Sequence, residues 1–178
     1  MIKHRNTLVS WREVRWLLIV SAAILLLTSI PYLAGYASQD SQELFGGMVF
    51  DRQDYAHHIG GIFLGTRGEW RLQLLNTSDP HPAGYVKELY LAIGHIARLL
   101  RMQPSVAYQG ARSLLALGAM VSGYFFLALL FPIVRLRRLA FLLFALGSGL
   151  GWLQLLVFNA PQWPVSPIDF WLIDAYAF

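Results

Sequence analysis

The chain has 178 residues, of which 56% are hydrophobic and 13% charged, against roughly 25% charged residues in an average soluble domain. That balance excludes an ordinary water-soluble domain and points to a membrane. The formal net charge of +4 gathers near the ends of apolar stretches and offers no basic face to nucleic acid, while the absence of cysteine excludes disulfides and thiolate metal sites.

The expected fold is an all-α integral membrane protein with three transmembrane helices and a partly helical external loop between the first and second. Residues 16–36, 113–134 and 139–158 each supply the roughly twenty apolar residues that cross about 30 Å of hydrocarbon. None of the three contains Asp, Glu, Lys or Arg. Residues 1–15 form a cytoplasmic N-terminus carrying Lys3, Arg5, Arg12 and Arg15, and Trp16, Tyr32 and Tyr36 stand near the ends of the first span as interfacial anchors would. Basic residues before an apolar run also fit a cleaved signal peptide, although this run exceeds the roughly 7–15 residues of a signal h-region.

The segment 37–112 falls on the external side and is nearly charge-balanced, with six Lys/Arg against seven Asp/Glu over residues 37–111. Two amphipathic helices are expected in it, over about 51–65 and 84–102. The first is marked by Tyr55, Ile59, Ile62 and Phe63 at i, i+4, i+7 and i+8, with Gly60-Gly61 weakening its middle. In the second, Val86, Leu89, Tyr90, Ile93, Ile96, Ala97 and Leu100 trace one apolar stripe, with Lys87, Glu88, His95, Arg98 and Arg101 largely off it. Such a helix lies on the membrane surface or packs across the spans, and His95 on its polar flank is expected to be solvated.

Between these helices Asn76, Ser78, Asp79, Pro80, Pro82 and Gly84 form a turn-rich loop, and the prolines on either side of His81 favour extended backbone there. Pro104 ends the second helix, and a new one starting near Ser105 runs into the second span. Arg135, Arg137 and Arg138 then occupy a short cytoplasmic turn at 135–138, on the side set by the other basic residues. In the third span Gly147-x-x-x-Gly151 reads as a small-residue face for close helix approach, since no strand precedes it as a nucleotide loop requires. The tail 159–178 returns to the external side. Its Trp163, Phe170 and Trp171, with Asp169 and Asp174, suit interfacial anchoring or a sugar pocket.

Asp51 opens the first external helix, where aspartate is a preferred N-cap, and it also places a carboxylate close to the membrane surface, where it could act as a base. Both readings stay open. Asp54 is a first-turn acid favoured by the helix dipole. His57 and His58 point about 100° apart on a helix, so the pair is a poor chelate and no metal site is assigned.

Taken in order, the first span, Asp51-x-x-x-Tyr55, Gly68-Glu69-Trp70, His81-Pro82, Leu99-Leu100-Arg101 and Ala111-Arg112-Ser113 resemble the N-terminal part of GT-C membrane glycosyltransferases. The likeness is to the protein O-mannosyltransferase and lipid A aminoarabinose transferase group and covers about residues 12–135. It implies transfer of a sugar from a polyprenyl-phosphate donor to an external acceptor, with Asp51 as general base, Asp54 as its possible substitute, and Tyr55, His81 and Arg112 binding substrate. No resident cofactor is implied, and a divalent metal has no ligand set to support it. The partners implied are the lipid bilayer, the lipid-linked sugar donor and further C-terminal transmembrane helices, in a bacterial inner (plasma) membrane with the 37–112 loop outside the cytoplasm.

The chain departs from that group in two ways. Arg52 follows Asp51 where the group has an acidic pair, and three spans are fewer than its members carry. Residues 1–178 are therefore expected to be an N-terminal fragment, inactive alone. The alternative is a small three-span protein without catalysis, acting as an assembly or scaffold partner. A transporter fragment fits less well, because no span has an interior charge.

Overall fold

A computed structural model describes residues 9–49, 52–74 and 77–147, with residues 52 and 53 described in their backbone alone. Among the described residues there are five helices: α1 Trp11–Ala37, α2 Arg52–Thr66, α3 Glu88–Leu100, α4 Pro104–Leu130 and α5 Val134–Leu146. The only β-type pairing among them is one isolated antiparallel bridge, Leu72 to Gly84. Two of the helices, α1 and α4, are long and apolar enough to cross a bilayer, and only 11% and 17% of their most apolar stretches are buried. So little burial suits helices that meet lipid better than the core helices of a water-soluble protein.

The third expected span is described only as far as Gly147; its residues 148–158, most of the Gly147-x-x-x-Gly151 face and the whole of the tail 159–178 lie outside the described residues. The 13 residues of α5 reach about 20 Å at 1.5 Å per residue, short of the bilayer core. The connection before α5 also differs from expectation. It is Phe131-Pro132-Ile133, and Arg135, Arg137 and Arg138 lie inside α5 instead of in a turn. Pro132 explains the shift, because the residue before a proline is driven out of helical conformation.

The chain divides into two compact units, Met1–Leu25 with Leu115–Phe178, and Leu26–Leu114. In the first, the start of α1 is set by a capping box. The Ser10 hydroxyl accepts the Glu13 backbone N–H at 3.3 Å, and Glu13 Oε2 in turn accepts the Ser10 N–H and hydroxyl, both at 3.0 Å. The other carboxylate oxygen, Oε1, accepts from Tyr124 Oη at 3.0 Å and from Arg137 Nη1 at 2.6 Å. Arg137 also donates from Nε to the Phe131 carbonyl at 3.2 Å, giving a partner to a carbonyl just past the C-terminal end of α4. All three polar side chains are buried, beneath a core of Leu17, Met120, Tyr124 and Phe141. Trp16 meets the edge of Phe141 at 5.9 Å and carries the Arg138 guanidinium on its own face at 4.8 Å.

In the second unit α2 packs on α3 through glycine. A Cβ at Gly94 would fall on the Ile62 carbonyl oxygen and 2.7 Å from Gly65 Cα, and one at Gly61 would come 3.1 Å from Tyr90 Cβ. The glycines that weaken α2 as an isolated helix thus let two backbones touch. Ile62, Ile93, Ala97 and Ala107 form the buried core of this unit.

The expected single stripe of α3 is split. Tyr90, Leu91, Ile93, Gly94 and Ala97 turn inward, whereas Leu89, Ile96, Leu99 and Leu100 are exposed. Both helices end in Schellman motifs. Gly68 takes φ 95° after α2, where Glu69 N–H bonds the Leu64 carbonyl, and Arg101 takes φ 54° after α3, where Met102 N–H bonds the Ala97 carbonyl.

Candidate functional site

The site builds on the ends of α1 and α4 and the start of α2, all within Leu26–Leu114. Tyr32 and Tyr36, one turn apart near the end of α1, share a face, as do Gln109 and Arg112 in α4. Between α1 and α2 the chain turns at Gly46-Gly47, and that turn is clamped by side chains. Tyr55 Oη donates to the Gly46 carbonyl at 2.8 Å, and Gln109 Nε2 donates to the Gly47 carbonyl at 2.8 Å. Gly47 is buried with φ 84°, and a Cβ there would lie 2.8 Å from Tyr36 Oη and crowd Tyr55 Oη. Glycine is required at this position twice over, by handedness and by space.

Around the turn the aromatic rings interlock. Tyr108 meets the edge of Tyr55 at 5.2 Å, and Phe45 meets the edge of Tyr36 at 5.0 Å. His58 stacks on Tyr90 at 4.2 Å and on Tyr108 at 6.1 Å. The half-buried Arg112 guanidinium sits 4.3 Å above the Tyr32 ring and, among the described residues, has no carboxylate within 4.0 Å. Tyr36 Oη and Gln109 Oε1 are buried and carry no hydrogen-bond partner among the described residues. Each such atom costs about 1–3 kcal/mol of lost hydration, so the Tyr36 hydroxyl stands ready to donate or accept and Gln109 Oε1 to accept.

Burial, and after it the neighbouring phenols of Tyr36, Tyr108 and Tyr32, pushes the Tyr55 hydroxyl well above the ordinary tyrosine range. An unfolded chain ionises its tyrosines near pH ~10, whereas folded Tyr55 keeps its proton, so its contribution is fully present below that pH and is lost as pH rises above it. Tyr55→Phe should therefore flatten the alkaline decline in stability, read from unfolding midpoints at stepped pH. It should also lower stability at neutral pH by about 1 kcal/mol through loss of the bond to Gly46.

Of the residues expected to carry function, Asp51 lies outside the described residues. Asp54 is exposed in the first turn of α2. Arg112 lies on the Tyr32 ring, and the Tyr32 phenol is the weakest of the three that act electrostatically on Tyr55. His81 serves its own loop instead. Its Nε2 accepts the Leu74 N–H at 2.9 Å, which leaves Nδ1 to donate to the Asp79 carbonyl at 2.8 Å. Both ring nitrogens are thus engaged within a loop that the Leu72–Gly84 bridge closes, and His81 makes no polar contact with Tyr55 or Arg112 among the described residues.

His95 is not solvated as expected. It is half-buried, stacks on Trp70 at 3.9 Å and donates from Nε2 to the Glu69 carbonyl at 3.1 Å, holding the Gly68-Glu69-Trp70 turn. Among the described residues no three His, Asp or Glu side chains converge as metal ligands.

Tyr36, Gln109 and Gly47 join the site without a clear mark in the sequence. The i, i+4 tyrosines and the Gln109-x-x-Arg112 spacing are visible signals, but the tyrosines fit an interfacial belt equally well. No family profile, curated protein or solved structure matches the chain.

Proposed function

We propose that this chain is the N-terminal region of a GT-C-type membrane glycosyltransferase, taking sugar from a polyprenyl-phosphate donor at the membrane surface. The observation that carries the reading is Arg112: a guanidinium held on the Tyr32 ring near the start of a span-length helix, with no carboxylate within 4.0 Å among the described residues. A lipid phosphate sits at headgroup depth, and a guanidinium there is suited to the charge that develops on a departing phosphate. Tyr36 Oη and Gln109 Oε1 supply spare hydrogen-bonding capacity for sugar hydroxyls. Asp51 takes the proton of the acceptor hydroxyl, with Asp54 as its substitute, and α1, α4 and the stretch that continues α5 cross the inner membrane with residues 37–112 outside.

Retention of α1 fits this reading, because losing it would leave Arg137 buried without its carboxylate. The test is made in the full-length protein with expression and membrane insertion matched. Asp51→Asn is expected to lower sugar transfer by about 10²–10⁴-fold. Arg112→Gln should reduce transfer comparably, with Arg112→Lys restoring part of it. Unchanged transfer in both Asp51→Asn and Arg112→Gln would remove the two residues from the catalytic role, and a full-length protein with no transfer at all would leave the scaffold alternative in its place.

A further inference from the structure

We infer that the outward face of α3 is a lipid-contact surface, with Leu89, Ile96, Leu99 and Leu100 seated at the headgroup–acyl boundary of a bilayer and the helix lying along the membrane plane. The inference rests on reading α1 and α4 as spans and is independent of glycosyl transfer.

Three observations lead to it. First, α3 is apolar on two faces. Its inner face is consumed by α2, yet Leu89, Ile96, Leu99 and Leu100 remain 49%, 57%, 82% and 59% exposed. With Ala92 they fall at i, i+3, i+7, i+10 and i+11, a stripe about 100° wide that runs the length of the helix. Tyr85 and Val86, 74% and 56% exposed, continue the apolar surface ahead of the helix. Leaving such a surface in water forfeits burial worth about 25 cal/mol per Å².

Second, the stripe is tied to a span. Only Arg101, Met102 and Gln103 separate α3 from α4, and the Schellman bond from Met102 N–H to the Ala97 carbonyl, at 2.9 Å, tightens that joint. Three residues reach at most about 11 Å, so Leu99 and Leu100 stay close to the first turn of α4. The 27 residues of α4 extend about 40 Å, more than the roughly 30 Å hydrocarbon core, which puts an end of that helix among headgroups.

Third, charge is arranged for a lipid surface. Lys87 and Arg101 stand exposed at the two ends of α3, where their left-handed backbones bound the helix, and Glu88 is its one carboxylate. Apolar side chains flanked by cations match a bilayer containing acidic phospholipid.

The chain has no cysteine, so single-cysteine variants can be labelled without background. The full chain carrying an environment-sensitive fluorophore at Ile96→Cys or Ala92→Cys is reconstituted into vesicles of zwitterionic and anionic phospholipid. Arg98→Cys, about 160° round the helix from Ile96, and Leu26→Cys within α1 serve as references. The Ile96 and Ala92 probes are expected to emit further to the blue than the Arg98 probe. They should be quenched several-fold more by nitroxides placed shallow in the acyl chains, while the Leu26 probe responds to deep nitroxides.

Ala92→Cys changes the smallest side chain of the face, so agreement between the two variants excludes a folding artefact. If both α3 probes match the Arg98 probe in iodide access while the Leu26 probe is deep, water covers the face of α3 and the inference fails. A Leu26 probe open to iodide would instead overturn the span reading, and this inference with it.

Discussion

Arg137→Met is expected to destabilise the first unit by about 3–5 kcal/mol, the cost of leaving one member of a buried ion pair without the other. Glu13 would keep its bonds to Ser10 and Tyr124 but lose the cation at 2.6 Å, and the Phe131 carbonyl would lose the Nε donor that ends α4. Thermal unfolding in a mild detergent, followed by helical circular dichroism, measures the loss. The companion variant Glu13→Gln with Arg137→Met should recover most of it, since an amide can remain buried without a counter-charge. An equal loss in both variants would show that the effect comes from packing of the arginine stem and not from the orphaned carboxylate.

The second large effect is expected at the α2–α3 contact. Gly94→Leu forces a side chain into space occupied by the Ile62 carbonyl and the Gly65 backbone, neither of which can rotate away. Overpacking of this kind costs about 1–3 kcal/mol where side chains can adjust, and this site belongs at the upper end because only backbone faces it. Hydrogen exchange in α2 and α3 should accelerate together, with protection elsewhere in the chain unchanged. Gly110→Ala is the control, because a Cβ there meets nothing within 4 Å and replacing a mid-helix glycine should stabilise by about 0.5–1 kcal/mol. Exchange confined to α3 in Gly94→Leu would mean that the two helices are not one cooperative unit.

Helix existence is legible along most of the chain because length and apolar periodicity are local properties. Trp11–Ala37 and Pro104–Leu130 can be read from apolar runs, and Arg52–Thr66 from Tyr55, Ile59, Ile62 and Phe63. Which face of α3 turns inward is not legible. Apolar residues surround most of that helix, and the choice is made by Gly94, whose missing side chain admits α2, instead of by the larger residues that define the stripe. The Ser10-x-x-Glu13 capping box is a visible pattern, but it stands among the basic residues that set topology, and they dominate a reading of that segment.

The pairing of Glu13 with Arg137 joins residues 124 positions apart, and no local rule links them. The candidate site is half legible. Tyr55 and Arg112 stand out by type and position, but Tyr36 and Gln109 acquire their part only from the left-handed turn at Gly47, which brings three segments to one point. His95 misleads because an outward-facing histidine looks solvated until a distant turn is laid across it.

The glycine crossing also has a mechanical consequence. Side chains in an ordinary helix interface act as cushions, changing rotamer to absorb small displacements, whereas at Gly65 and Gly94 backbone lies on backbone with nothing to compress. α2 and α3 should therefore swing as a single stiff body. Since Tyr55 is anchored in the first turns of α2, a displacement of the Gly46-Gly47 turn is expected to move α2 and α3 together, and with them the row from Leu89 to Leu100.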